Sequence, residues 1–287
     1  VILTMDIGGS NIRYNIIDSS EEIVEHHSMS SRDISIIDVI ESIIKAYDIS
    51  KIGISYAGQI DNGDILSSPN IRVDRPDIEH YFKERYGIPL AIDNDLKCAA
   101  LAEHDYWRSS GSIVVAYIGT GFGAAIVEDG RVVRGSHNLA GEIGHIPFRN
   151  SPIACGCGNH YCIEASCSGE ALSKYIDYYD LPIDNDPLDS LKKLNNPNAQ
   201  KILDNFHEGL LFAVATIISL LNPEKIILGG GVVDKNHYLL DFIKENIDRY
   251  ALSTSLKQTD ILISRLDDAP IRGARLLLDS NQQSKNR

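Results

Sequence analysis

The chain has 287 residues, with 40 acidic against 27 basic side chains, a formal charge of −13 and 43% hydrophobic residues; this is ordinary globular composition and enough length for about two domains. An acidic chain whose few Lys and Arg are scattered is a poor match for nucleic acid, and no apolar run reaches the roughly 18–20 residues that cross a bilayer. No charged n-region leads into an apolar h-region, so the expectation is a cytoplasmic protein with neither nucleic acid nor membrane as partner and with reduced thiols.

Val1 to Asp18 reads as two β runs flanking Gly8-Gly9-Ser10, and Lys51 to Gln59 as a further strand. Ala91-Ile92-Asp93 predicts a strand feeding an alanine-rich helix from Leu96 to Trp107, after which Ser109-Ser110-Gly111 punctuates the chain. The stretch SIVVAYIGTGFGAAIVEDGRVV predicts a second β unit with a hairpin-type turn at Asp129-Gly130. Asn198 to Leu221, apolar nearly all round, predicts a buried helix that stops before Pro223. Lys225 to Gly231 predicts a strand running into a glycine turn. A helical stretch near Tyr238–Tyr250, a strand at Asp260–Leu266 and a final helix from Ile271 follow.

The chain repeats itself. DIGGSNIRYNIID (Asp6 to Asp18) lies over YIGTGFGAAIVED (Tyr117 to Asp129), matching Ile-Gly, a hydroxyl residue near the turn, an apolar strand and a closing Asp. Alternating strands and helices in each half predict two α/β domains facing one another across a cleft: 1–111, with the C-terminal helix 271–287 packing on it, and 112–270.

Three glycine turns stand at strand ends: Gly8-Gly9-Ser10, Gly119-Thr120-Gly121 and Gly229-Gly230-Gly231. Glycine lacks a Cβ and tolerates positive φ, so such turns bring backbone N–H groups close to a phosphate; plain structural turns are the other reading. The first copy of the repeat has Asp6 where the second has Tyr117. Asp6 is therefore the candidate to hold the hydrated shell of a nucleotide's Mg²⁺, against the simpler role of capping its own turn.

IDNDLKCAALAE puts Asn94 and Asp95 where a strand gives way to a helix, the place where α/β sheets present chemistry. Asp95 fits two roles there: N-cap of the helix, or the base that takes the proton of an acceptor hydroxyl. Asn94 offers a donor and an acceptor to a sugar hydroxyl. In ACGCGNHYCIE, Cys155, Cys157 and Cys162 are spaced too tightly for a pair of unstrained disulfides, whereas short-loop thiolates suit tetrahedral Zn²⁺, and His145 in GEIGHIPF completes four ligands. A filled tetrahedron is structural; free thiols are the alternative. Zinc would also fix Glu142 and Glu164 as acceptors for sugar hydroxyls, where otherwise they are surface glutamates. Cys98 and Cys167 read as small buried hydrophobes.

Taken in order, DIGGSNIR, GISYAGQID, SSPNI, IDNDLKCAALAE, YIGTGFGAAI, GEIGH, CGCGNHYCIE, IILGGGV and APIRGA cover nearly the whole chain, and the sequence resembles the ROK family (repressors, open reading frames and sugar kinases) of the actin/hexokinase-like superfamily. The resemblance implies two actin/hexokinase-like (ribonuclease H-like) α/β domains flanking a central cleft, and ATP-dependent phosphorylation of a hexose, glucose or a close relative, at the 6-hydroxyl. It implies Asp95 as catalytic base, with Asn70, Asn94, Asp95, Glu142, His145 and Glu164 contacting the sugar. His145, Cys155, Cys157 and Cys162 would bind structural zinc. Asp6, Gly8, Gly9, Ser10, Gly119, Thr120 and Gly121 would hold the phosphates and Mg²⁺, with Gly229 and Gly230 near the adenosine. A homodimer is implied as well. Rival readings are an N-acetylmannosamine or other amino-sugar kinase and a non-enzymatic sugar sensor; with a phosphate turn so near the start, the kinase branch is expected over the family's repressors. The chain departs from the family at Leu96-Lys97-Cys98, where a small-residue run is usual, at Tyr161, where glycine is common, and at Ala57-Gly58, where Pro-Gly is usual.

Overall fold

All but the first residue of β1 (Ile2–Ile7) is buried, the pattern of a strand covered on both faces. In the computed structural model, which describes residues 1–68, 71–183 and 186–284, β1 turns through Gly8-Gly9-Ser10 into antiparallel β2 (Asn11–Ile17), and β3 (Ile23–Ser30) follows antiparallel to that. Parallel pairing begins on the other side of β1, with β4 (Lys51–Tyr56) and then β7 (Leu90–Asn94), for a strand order β3-β2-β1-β4-β7. Helix α1 (Ile36–Ala46) starts at Ser35, whose side chain accepts the Asp38 N–H, and buries Ile36, Ile40 and Ile43 at helical spacing. A small ribbon of β5 (Gln59–Asp61) and β6 (Asp64–Ser67) precedes α2 (Ile78–Tyr86), which ends on left-handed Gly87. Helix α3 (Asp95–Trp107) issues directly from β7.

The chain divides into two compact units. One comprises Val1–Arg108, Gly130–Ala140 and Leu266–Arg287; the other comprises Ser109–Asp129 and Gly141–Arg265. The segment Gly130–Ala140, which carries β10 (Arg131–Val132), thus groups with the first unit rather than with the uninterrupted 112–270 domain expected from sequence. The reason is polar: Asn138 donates to the Ile60 carbonyl at 2.6 Å and to Asp93 at 3.0 Å. The C-terminal helix α10 (Ala269–Ser284) also lies in the first unit, so close to α3 that a methyl group on Gly273 would stand 1.8 Å from the Cys98 carbonyl oxygen.

In the second unit, β8 (Ile113–Ile118) pairs antiparallel with β9 (Phe122–Glu128) and parallel with β11 (Lys225–Gly229), which pairs parallel with β12 (Asp260–Ile263). The strand directions repeat those of β2-β1-β4-β7, so the sequence repeat corresponds to one topology used twice. Helices α4 (Gly169–Tyr178), α5 (Pro187–Lys193) and α6 (Pro197–Leu221) follow, and α8 (Tyr238–Asn246) and the single-turn α9 (Ser253–Leu256) come after the short α7 (Gly231–Lys235). One expectation needs correction here: by length and composition α6 is apolar enough to cross a bilayer. Its apolar character serves the core of this unit instead, since Phe206, Leu210, Ala213, Val214 and Ile218 are all at most 1% exposed there.

Gly273→Ala tests the α3/α10 approach with a clear sign. Helix propensity alone favours alanine by about 1 kcal/mol, whereas overpacking a filled interface costs about 1–3 kcal/mol. With Cys98 backbone unable to yield, urea unfolding should show a net loss of stability.

Candidate active site

In the first unit the sheet register itself assembles the acidic end of β1. Asp6 stands opposite Arg13 on β2 and Ser55 on β4; its Oδ2 accepts from the Arg13 guanidinium at 2.6 Å and its Oδ1 from the Ser55 hydroxyl at 2.8 Å. Both oxygens of this 9%-exposed carboxylate are therefore engaged. The following turn is closed by the Gly8 N–H donating to the Asn11 carbonyl at 2.9 Å. Gly8, Gly9, Gly119 and Gly121 do not use positive φ; among the three turns only Gly230 does, at 87°. A methyl on Gly8 would stand 3.2 Å from the Asn11 carbonyl oxygen, whereas one on Gly119 would meet open space.

At the end of β7, Asn94 and not Asp95 is the N-cap of α3. Its side-chain oxygen accepts the Leu96 and Lys97 N–H groups at 3.1 and 3.3 Å, and its amide donates to the Gly58 carbonyl at 3.2 Å and to Asp95 Oδ1 at 2.9 Å. Asp95 is the first helical residue, its Oδ1 also accepting the Leu96 N–H at 2.8 Å. Burial, and after it the Asp6 carboxylate, push Asp95 up to about 6, against the opposing pull of the Leu96 N–H and the Asn94 amide. A carboxyl titrating there is poised to take a proton near neutral pH. Asn70 lies outside the described residues.

The second unit carries the other expected residues. Tyr117 takes the place of Asp6 in the repeat, and its register partners are Gly123 and Gly229, where Asp6 has Arg13 and Ser55. Gly229 makes room for the ring: a methyl there would lie 2.5 Å from it. Gly119 and Thr120 at the turn are tied to the start of α4, whose Gly169 and Glu170 N–H groups donate to their carbonyls at 2.8 and 3.0 Å. Gly121 leaves space for Glu164, since a methyl there would meet Glu164 Oε2 at 2.6 Å. That oxygen accepts the Phe122 N–H at 2.8 Å, while Oε1 accepts from the Cys155 thiol at 3.1 Å. Gly230 must be glycine twice over, because its φ is 87° and a methyl would stand 2.7 Å from the Ile118 carbonyl oxygen.

The four expected zinc ligands meet. His145, Cys155, Cys157 and Cys162 bring one ligand atom each to within 4.8 Å of one another. Cys157 and Cys162 sulfurs are 3.5 Å apart, and Cys155 Sγ is 3.6 Å from His145 Nδ1. Zn–S bonds of about 2.3 Å in a tetrahedron put ligand sulfurs about 3.8 Å apart, so the donor set fits that ion in type, number and spacing. With Nδ1 turned to the cluster, His145 Nε2 faces the exposed Glu142 at 3.8 Å. Cys98 and Cys167 are both fully buried, away from this cluster.

Sequence reading missed the part played by Arg13, Ser55, Gly58, Asp93, Arg134 and Asn138, which hold the residues it named or their neighbours. Lys97, a departure from the family pattern, is buried and donates to Asn138 Oδ1 at 2.8 Å.

Two α/β units of one topology, each with a glycine turn after its first strand and only one with a carboxylate before it, define a duplicated two-domain α/β fold. The family model described as "ROK family" matches residues 2–281, and the chain belongs to that family. A glucokinase of Halalkalibacterium halodurans is 27% identical across 98% of this chain and 95% of its own. An N-acetyl-D-glucosamine kinase of Aliivibrio salmonicida is 28% identical across 95% and 97%. Among solved structures, a ROK hexokinase from Thermus thermophilus superposes with a TM-score of 0.82 at 26% identity, covering 98% of this chain and 99% of that one.

Replacing Asp6 by Asn removes the negative charge that helps raise Asp95. The charged form of Asp95 then becomes easier to hold, and a carboxyl carbon NMR titration should place its pKa lower than in the parent chain.

Proposed function

We propose that this chain, an ATP-dependent sugar kinase, transfers the γ-phosphoryl group of ATP to a hexose, glucose or a close relative, at the 6-hydroxyl. The observation that carries the reading is Asp95: a carboxyl at a rigid strand-to-helix junction, raised to about 6 by burial and by Asp6. Asp95 takes the proton of the sugar hydroxyl as its oxygen bonds to the γ-phosphorus, and the bond from that phosphorus to the bridging oxygen breaks to release ADP. The residues that would bind the sugar are Asn94, Glu142, His145 and Glu164, with Asn70, which lies outside the described residues. Gly8, Gly9, Ser10, Gly119, Thr120 and Gly121 would hold the phosphates, with Gly229 and Gly230 towards the adenosine. Asp6 would face the hydrated shell of Mg²⁺, an ion that offsets charge on the phosphoryl oxygens when bound. The Arg13 and Ser55 bonds fix its carboxylate for that outer contact. Similarity to a glucokinase supports the hexose. The comparable similarity to an N-acetyl-D-glucosamine kinase supports a second reading, an amino-sugar kinase of the same mechanism.

Asp95→Asn should leave sugar binding near the parent value while turnover falls by about 10²–10⁴, measured by coupled ADP release and by calorimetry; a variant that keeps its turnover would remove Asp95 from the role. The base works only when deprotonated. Activity in the parent chain should therefore be about half-maximal near pH 6, approach its full value about one to two pH units higher, and fall about tenfold per pH unit well below a pKa of about 6. A panel of hexoses and N-acetylhexosamines with Mg-ATP decides the sugar, and silence on all of them would favour a binding-only sensor.

We further propose that His145, Cys155, Cys157 and Cys162 hold structural zinc. Metal analysis after purification without chelator should return about one zinc per chain. Stripping it should lower the melting temperature and raise KM for the sugar, through loss of the Glu142–His145 and Glu164 positions, more than KM for ATP.

A further inference from the structure

Asp93, the residue before Asn94, is 0% exposed. A carboxylate in such a place is costly unless its oxygens are paired, and all three of its side-chain partners are defined. Oδ1 accepts the Asn94 backbone N–H at 2.9 Å and the Asn138 amide at 3.0 Å; Oδ2 accepts from the Arg134 guanidinium. Asn138, held at φ 57°, is itself braced. Its Oδ1 accepts from Arg134 at 3.2 Å and from the Lys97 ammonium at 2.8 Å, and Lys97 also reaches its carbonyl oxygen. Lys97 stands in the first turn of α3, so the network starts at the peptide preceding the Asp95 junction and closes on the helix that Asp95 begins.

We propose that Arg134 and Asn138 are positioning residues for phosphoryl transfer, acting through Asp93 to fix the Asn94 peptide and thereby the direction in which Asp95 presents its carboxylate. The inference rests on Asp95 being the base. Neither residue touches substrate in this account. Their effect is geometric: an Asp93 freed from them can rotate away from the Asn94 N–H, and the strand end loses its single orientation. Displacement of a reacting group by about 1 Å costs on the order of 10²-fold in rate. Arg134 also lines a cavity of about 300 Å³ with Asp61, Gly63, Glu79 and Asn138. A small cation can therefore reach the place its guanidinium holds.

The test compares Arg134→Ala, Arg134→Lys and Asn138→Gly, the last chosen because glycine keeps the left-handed backbone while losing the amide. Each is assayed for kcat and for KM of sugar and ATP, with folding checked by circular dichroism. Arg134→Ala and Asn138→Gly should lose about tenfold to a hundredfold in kcat with both KM values within about threefold. Arg134→Lys should recover part of the loss. Guanidinium chloride at tens of millimolar should raise the rate of Arg134→Ala and leave Asn138→Gly and the parent unmoved, a rescue that a merely structural role would not give. If Arg134→Ala does not fold, the other two variants decide. Unchanged kcat in folded variants, a loss carried by KM alone, or a kcat loss relieved by neither lysine nor guanidinium overturns the proposal. A parent chain that turns over, but equally well with Asn at position 95, overturns the reading beneath it instead; a parent silent on every sugar overturns both.

Discussion

Burying one carboxylate beside the site organises much of the first unit. Asp93 has no access to water, and an ion stripped of solvent costs several kcal/mol until opposite charge and hydrogen bonds replace it. The replacements come from Arg134 and Asn138, 41 and 45 residues further along the chain. That demand ties Gly130–Ala140 to the first unit even though the residues on both sides of it belong to the second. It also gives Lys97 a reason to be buried where an alanine would pack, because its ammonium finds two oxygens of Asn138.

The repeat shows how one topology supports two chemistries. At equivalent register positions the first unit has Asp6 between Arg13 and Ser55, and the second has Tyr117 between Gly123 and Gly229. A charged residue needs charged or polar neighbours across the ladder; a large ring needs neighbours with no side chain at all. Asp6 is thus matched by Arg13 and Ser55 across its ladder, and Tyr117 by Gly229, where a methyl would meet the ring. The glycine of IILGGG that lies in the strand is explained by the tyrosine ring as much as by any ligand.

What could be read from the sequence was local. The glycine turns, the Asn94-Asp95 junction and the cysteine cluster each fall within about a dozen residues, and turn chemistry and ligand spacing act on that scale. Arg13, Ser55, Arg134 and Asn138 escaped because sheet register and a long return of the chain bring them in. Ser55 reaches Asp6 across 49 residues. Helix α1 was missed for another reason: ISIIDVIESIIKAY is rich in isoleucine, and β-branched runs look like strand until the spacing of Ile36, Ile40 and Ile43 is counted. Strand β3 hides in the opposite way. Its residues are mostly exposed, so no alternation of apolar and polar marks it. The length criterion failed for α6 because consecutive apolar residues were sought, whereas a helix is apolar by its average.

On the proposed reading, the first turn of α3 has two needs that pull against each other. Its orphan N–H groups want an acceptor, while a general base must not be so well satisfied as an anion that it loses its affinity for a proton. A carboxylate serving as the cap would meet the first need at the expense of the second, since a helix N-terminus favours the charged form by about 0.3–1 kcal/mol. Asn94 removes the conflict. As a neutral cap it takes the N–H groups of Leu96 and Lys97, and at Asp95 one step on the Leu96 N–H and the Asn94 amide that also reach it are outweighed by burial and the Asp6 charge. These carry it from an ordinary 3.8 to about 6, about 3 kcal/mol in proton affinity, which outweighs the pull of the helix end. The Asn94 amide and the Leu96 N–H both donate to Asp95 Oδ1, which on the proposed reading leaves the proton of the acceptor hydroxyl to Oδ2. The order Asn-Asp at this junction, rather than the mere presence of an acid, is what makes the position suited to base chemistry.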